Sequence, residues 1–193
     1  MESSPQEPQN STDRETNTKV GKIMLVIAWV TGMLLLTQFF GYWEKNRVNP
    51  NQNPESSRSG EVTQTVLKRN HVGHYLAGGK INNTPVVFML DTGATDVVIP
   101  QQLAKSLNLP KYGQGVALTA NGRINIIQTK IDTIDLGKIT LHDVRASINP
   151  AMGPNEPVLL GMSALRQVNF KQDGNRLILE QVNRSIVTSP KYQ

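Results

Sequence analysis

One stretch constrains this chain more than any other. Val86-Val87-Phe88-Met89-Leu90 runs straight into Asp91-Thr92-Gly93-Ala94-Thr95. Five consecutive apolar residues must be buried, and their β-branched start, short length and closing glycine favour a strand over a helix segment. Asp91 then stands where a buried strand emerges into a tight turn. A carboxylate there costs free energy unless hydrogen-bond donors or a partner stabilise it. A group held at such a cost is a candidate for chemistry.

The chain around this stretch divides by composition. Residues 1–19 are polar and rich in Ser, Gln, Asn, Glu and Pro, the signature of a disordered segment. Residues 20–43 read as a single transmembrane anchor. Ile23 to Trp43 is 21 residues, about 31 Å as a helix, enough to cross a bilayer core. Tyr42 and Trp43 sit where an interfacial aromatic belt belongs. A cleaved signal peptide is the competing reading, but the long acidic leader and the lack of a small-x-small cleavage site oppose it. Arg14, Lys19 and Lys22 precede the span, and Lys45, Arg47 and Arg58 follow it, so charge leaves the orientation open. Residues 44–61, with Pro50, Pro54 and several Asn and Ser, read as a flexible linker.

A folded domain is expected over residues 62–180, followed by a polar tail over 181–193. Thr63–Lys68, His74–Ile81 and Thr84–Leu90 read as strands, with Gly78-Gly79 marking a bulge or a close backbone approach. Asp96–Ile99 is a short strand, and Pro100 starts a helix that Asn108 and Pro110 stop. Asn121-Gly122, between Val116–Ala120 and Arg123–Gln128, is the strongest hairpin signal in the chain. Ile131–Leu136, Lys138–Leu141 and Val144–Ile148 follow as strands, turning at Gly137 and His142-Asp143. Val158-Leu159-Leu160-Gly161 is a buried strand, Met162–Gln167 a short helix, and Val168–Phe170 pairs with Arg176–Glu180. Many short strands with one or two small helices predict an all-β, barrel-like domain.

Composition removes several kinds of chemistry. The chain has no cysteine, which excludes disulfides and thiol catalysis. His71 and His74 have H-x-x-H spacing but no carboxylate cluster beside them, so no metal site and no cofactor is expected. Residues 63–193 carry 14 Lys/Arg against 8 Asp/Glu, but the excess is spread out and lacks a nucleic-acid motif. It reads as solvated surface, with no nucleic-acid partner.

Three chemistries compete for Asp91. In a dyad of the aspartic-protease type, two carboxylates about 3 Å apart share one proton and activate water between them. Gly93 would then let the backbone turn so that its N–H faces the carboxylates, and Thr92 would bond across the dyad axis. Ala94 would keep the floor of the site narrow, and the Thr95 hydroxyl would hold the Asp91 rotamer. A phosphatase of the haloacid dehalogenase type would need a second Asp two residues on, where Gly93 stands. Finally, Asp91 could be structural, bonding its own turn.

The order strand-Asp91-Thr92-Gly93-Ala94, then the Asn121-Gly122 hairpin, then Leu159-Leu160-Gly161 and a short helix resembles the retropepsins, the retroviral-type aspartic proteases. Gly73-His74-Tyr75, Asp91-Thr92-Gly93-Ala94-Thr95 and Leu159-Leu160-Gly161-Met162-Ser163 look like a bacterial, membrane-anchored branch of that family. The resemblance implies a closed, pepsin-half-like barrel, with Asp91 catalytic and Thr92, Gly93, Ala94 and Thr95 supporting it. It also implies a flap with its tip at Ala120, Asn121 and Gly122, and a strand Leu159-Leu160-Gly161 threading behind the Asp91 loop. The expected activity is hydrolysis of protein or peptide substrates by an endopeptidase. The expected place is the bacterial inner membrane, with the domain on the periplasmic side. The domain holds one Asp-Thr-Gly, and Asp132-Thr133-Ile134 lacks the glycine of a second. About 120 residues are half of a two-lobed enzyme, so a homodimer with one Asp91 from each chain is expected. The other reading is a catalytically inactive, membrane-tethered binding module on the same half-barrel.

Overall fold

Alternation of apolar and polar residues builds most of residues 55–182 into strands. The computed structural model describes residues 12–119 and 122–182, with backbone alone for 12–20. It divides into two units, Met1–Glu44 and Lys45–Gln193. The first is almost entirely helix α1, which runs from Thr12 to Val48. From Gly21 onward it is long and apolar enough to cross a membrane, and its apolar stretch is unburied. The helix takes in residues 12–19, which by composition belong to a disordered leader. The physical reason is propagation: once the apolar segment nucleates, each upstream residue adds a hydrogen bond, and residues 12–19 contain no Gly or Pro to stop it. Residues 1–11, the rest of that leader, lie outside the described residues, as do 183–193 of the expected tail.

The second unit holds two sheets. A four-stranded antiparallel sheet contains β1 (Glu55–Ser59), β2 (Val62–Lys68), β11 (Arg176–Val182) and β10 (Asn169–Asp173), in that order. The larger sheet runs β3 (Leu76–Ile81), β4 (Thr84–Leu90), β9 (Val158–Leu160), β5 (Val97–Pro100), β8 (Ile139–Asn149), β7 (Gly122–Leu136) and β6 (Gly113–Thr119). A further pairing of β3 with β7, Lys80 opposite Asp135 and Ile81 opposite Ile134, closes the circuit of strands. The pairing covers one end of each strand's outer edge, and the inward residues Phe88, Ile99, Ile131, Ile148 and Leu160 fill the interior. Two short helices complete the unit, α2 (Gln101–Ser106) and α3 (Met162–Leu165). The unit is mostly β, as the strand pattern implies.

Several local expectations change. The two strands expected on either side of residue 129 are one 15-residue strand, β7, because β8 pairs with it along most of its length. His142-Asp143 does not turn the chain. Asp143 takes a left-handed φ of 55° within β8, and its carboxylate pairs with Lys130 of β7 at 2.6 Å. That pair holds the Asp143 carboxyl below its usual range and the Lys130 amine above its own.

The larger correction concerns residues 44–61. They do not form a flexible linker: Asn49 and Asn51 are buried, and Glu55–Ser59 is strand β1, registered against β2. Asn51, only 4% exposed, acts as a clasp. Its amide donates to the Lys68 and Leu76 carbonyls at 2.8 and 2.7 Å, and its Oδ1 accepts the Lys68 N–H at 2.6 Å. Its backbone carbonyl accepts the Gly78 N–H at 2.8 Å. A Cβ on Gly78 would collide with the Gln52 carbonyl, and one on Gly79 with the Asp135 carbonyl, so this pair marks two close backbone approaches and no bulge. Asn-rich composition reads as loop because asparagine favours turns. The same amide, once buried, satisfies both ends of a strand gap, which composition cannot reveal. Asn51→Ala is expected to cost about 3 kcal/mol by leaving buried backbone groups unpaired. Thermal unfolding of the full chain in detergent, followed by near-ultraviolet circular dichroism, checks this.

Candidate active site

Asp91 is placed by the strand before it and the strand beside it. β4 runs parallel to β9, with Met89 opposite Leu159 and Leu90 opposite Leu160. The pairing continues one step past β4, where the Asp91 N–H donates to the Leu160 carbonyl at 3.2 Å. On the other side the Leu90 N–H donates to the Tyr75 carbonyl at 3.0 Å. The strand end is thus gripped from both flanks, and the Asp91 side chain leaves it half-buried. Its Oδ1 accepts the Gly93 N–H at 2.8 Å, and the Ala94 N–H returns to the Asp91 carbonyl at 3.3 Å.

Gly93 does not adopt a positive φ, so left-handed freedom is not its reason for being glycine. A Cβ there would stand 3.1 Å from Asp91 Oδ1, so glycine leaves room for the carboxylate. Gly161 has the sharper requirement. Its backbone is ordinary extended chain (φ −84°, ψ −174°), but a Cβ would collide with the Asp96 carbonyl and lie 2.7 Å from the Ala94 carbonyl oxygen. The Asp91 loop lies directly across this glycine.

Helix α3 completes the support. The first N–H groups of a helix have no partner within it. Here the Met162 N–H donates to the Ala94 carbonyl at 2.8 Å and the Ser163 N–H to the Thr95 carbonyl at 2.9 Å. The loop and the helix start therefore satisfy each other. The Ser163 hydroxyl accepts the Val97 N–H at 3.0 Å and donates to the Arg145 carbonyl at 2.7 Å. Arg145 Nε in turn meets Asp96 Oδ1 at 2.7 Å. Ser163, Arg145 and Asp96 were not expected as part of the site. Ser163 left only a weak signal, a small hydroxyl residue two positions after Gly161. Arg145 left none, because it comes from a distant strand.

Thr95 differs from expectation. Its side chain is exposed, among the described residues its hydroxyl makes no hydrogen bond, and it acts through its carbonyl. Thr92 is also exposed. It lines a small pocket of about 250 Å³ with Tyr75, Leu90, Leu165, Phe170, Gln172 and Leu177. The Tyr75 hydroxyl is buried there with no hydrogen-bond partner among the described residues.

The β6–β7 hairpin forms where Asn121-Gly122 predicts a turn. Thr119 pairs with Gly122, whose φ of 108° needs glycine, and the Thr119 hydroxyl donates to the Gly122 carbonyl at 2.9 Å. Ala120 and Asn121 lie outside the described residues. Leu118, 82% exposed, and Val116 face solvent on β6. Asp132 is an exposed residue within β7, not a second loop of the Asp91 kind. His71 Nδ1 donates to the Arg47 carbonyl at 3.0 Å.

Comparison with known proteins agrees with this geometry. Residues 77–167, which include the Asp91 loop, the hairpin and Gly161, match the family described as "gag-polyprotein putative aspartyl protease". An uncharacterised protein of Rickettsia prowazekii (strain Madrid E) is 30% identical over 131 residues, 65% of this chain and 55% of that one. An uncharacterised protein in the cobV 5′ region of Sinorhizobium sp is 26% identical over 112 residues, 56% of this chain and 48% of that one. The chain thus spans about half the length of these curated relatives. Among solved structures, a retropepsin-like aspartic protease from Rickettsia conorii is similar with a TM-score of 0.53 and 26% identity, covering 68% of this chain and 97% of that one. The strand circuit, the loop at the end of β4, the glycine behind it and these matches converge: the folded unit is similar to the bacterial retropepsin-like aspartic proteases.

Proposed function

We propose that the protein is an aspartic endopeptidase whose active form is a homodimer, with Asp91 of each chain forming one catalytic dyad. The observation that carries this is the Asp91 carboxylate itself, at the end of a gripped strand with Oδ1 on the Gly93 N–H. Two such carboxylates brought together share a single proton, because two adjacent negative charges are strongly disfavoured. The ionised member takes a proton from a water lying between them. The protonated member gives its proton to the scissile carbonyl oxygen as the water oxygen bonds to the carbonyl carbon. As the tetrahedral diol collapses, the C–N bond breaks, the protonated carboxyl gives its proton to the leaving nitrogen and a diol hydroxyl gives its proton to the ionised carboxylate, so the dyad again holds one. No covalent enzyme intermediate is formed.

Two further features support a second copy. Thr92 presents an exposed hydroxyl beside the loop, and the buried Tyr75 hydroxyl next to it lacks a partner among the described residues. Buried polar groups are rarely left so. In this reading the Ala120–Gly122 hairpin closes over bound peptide, and Leu159–Gly161 with Thr92–Thr95 hold the loop. Ile23–Trp43 anchors each copy in a bacterial inner membrane with the folded unit in the periplasm. Sharing one membrane plane raises the effective concentration of the pair.

The full chain in detergent micelles is expected to hydrolyse an unfolded protein at acidic to mildly acidic pH, with the rate per chain rising with chain concentration. Sedimentation should show dimers over the same range. A chain that remains monomeric and inactive at every concentration overturns the proposal and leaves a binding module.

A further inference from the structure

The span and the folded unit are joined by very little chain. Trp43 closes the apolar stretch, and by Arg47 and Val48 the backbone is already held by the folded unit. Four residues lie between Trp43 and Val48, so by connectivity alone Arg47 and Val48 stay within about 18 Å of the apolar stretch, and of the bilayer provided that Ile23–Trp43 spans it as proposed above.

The part that touches them is the loop between β2 and β3. The Asn70 amide donates to the Val48 carbonyl at 3.0 Å, and His71 Nδ1 to the Arg47 carbonyl at 3.0 Å. The loop is rigid in its own right. Asn70 Oδ1 accepts the Val72 and His74 N–H groups at 3.1 and 2.8 Å, and Arg69 Nε donates to the Gly73 carbonyl at 2.8 Å. Gly73, at φ 95°, completes the turn. This scaffold holds Val72 outward, 60% exposed.

Charge gathers at the same end of the domain. Arg69 bonds through its N–H to Asn175 of the β10–β11 turn at 2.9 Å, and Arg176 stands opposite Lys68. Lys45, Arg47, Lys68, Arg69 and Arg176 are all exposed, against the carboxylates of Glu44, Glu55 and Asp173. Lys68 is partnered by Glu55 at 2.9 Å. At the Gly60-Glu61 turn, at the other end of β2 about 20 Å away, the β1–β2 hairpin carries one cation, Arg58, and one carboxylate, Glu61.

We propose that the Arg69–His74 loop, with Lys45, Arg47 and Arg176 around it, is a lipid-contact surface that seats the folded domain on anionic phospholipid headgroups. Val72 enters the interfacial layer and the cations meet the phosphates. A basic residue at an anionic membrane surface shifts the bound-to-free ratio about fivefold, so a handful suffices for a tethered domain whose search is already confined. Tyr75, whose carbonyl accepts the Leu90 N–H, follows this loop directly and ties it to the strand that ends in Asp91.

The absence of native cysteine allows single-site reporters in the full chain. Val72→Cys, Glu61→Cys and Leu35→Cys, each carrying an environment-sensitive fluorophore, are reconstituted in phosphatidylcholine vesicles with or without phosphatidylglycerol. Quenching by spin-labelled lipid is then measured. The reporter at position 72 is expected to shift to the blue and quench when phosphatidylglycerol is present, while the one at 61 stays in water. Adding Lys45→Glu with Arg176→Glu is expected to relieve that quenching. If position 35 is lipid-buried while position 72 matches position 61, the surface is overturned and the span stands. Equal quenching at 72 in both lipids overturns the headgroup recognition. Position 35 in water overturns the span and the surface with it.

Discussion

Asp91→Asn is expected to abolish peptide hydrolysis, by about a thousandfold or more, without unfolding the protein. The asparagine Oδ1 still accepts the Gly93 N–H that now reaches Asp91 Oδ1 at 2.8 Å, so the loop keeps its shape and the melting temperature should move little. What is lost is the proton. A pair with one amide has no ionisable partner to share a proton with, and the water has no balanced acid and base around it. The variant also reports on assembly. When equal amounts of wild-type and Asp91→Asn chains pair at random in a two-fold dimer, about a quarter of the dimers hold two aspartates. Activity per wild-type chain should then fall to about half of that in undiluted wild type. Full activity per wild-type chain in the mixture would show that one chain carries the whole site.

Gly161→Ala is expected to be among the most damaging small substitutions in the domain, costing about 3 kcal/mol or more and removing activity with it. The added methyl would strike the Asp96 carbonyl and sit 2.7 Å from the Ala94 carbonyl oxygen. Both are backbone atoms, and both belong to the loop that the Met162 and Ser163 N–H groups pin down. Neither can yield without pulling the Asp91 loop off α3. Gly93→Ala makes the contrast. Its methyl would meet only the Asp91 side-chain oxygen, at 3.1 Å, and a small rotation of the carboxylate relieves the contact. Its stability cost should stay below about 1 kcal/mol, but the displaced carboxylate should lose about tenfold or more in kcat/KM. Thermal melts and peptide hydrolysis separate the two variants: Gly161→Ala loses stability and activity together, Gly93→Ala mainly activity. Equal melting temperatures would mean that the loop does not rest on Gly161.

Much of this was readable before any coordinates, for reasons that differ by residue. Thr84–Leu90 forms the strand its apolar run predicts, and Leu159-Leu160 lies beside it, because unbroken apolar runs have few ways to be buried. The β6–β7 hairpin follows from Asn121-Gly122, since turn chemistry is local. The Thr95 hydroxyl was misjudged because its orientation depends on α3, which draws the Thr95 carbonyl toward Ser163. The stretch 44–61 was misjudged because Asn, Pro and Ser describe what a segment prefers when alone, while Asn51 is held by Lys68 and Leu76.

The sequence by itself determined that a buried strand ends in Asp91-Thr92-Gly93, that a hairpin and an apolar-apolar-Gly strand follow, and that an apolar helix precedes them. Each is a matter of periodicity or of one residue's conformational limits, and such limits act over a few residues. Only the folded chain settles that β3 meets β7, that Gly161 lies under the Asp91 loop, that Ser163 joins Val97 to Arg145, and that Asn51 ties Lys68 to Leu76. These contacts join residues far apart in the chain, and a carbonyl or amide has the same chemistry wherever it stands. Which one it finds is settled only when the sheets have brought the partners together.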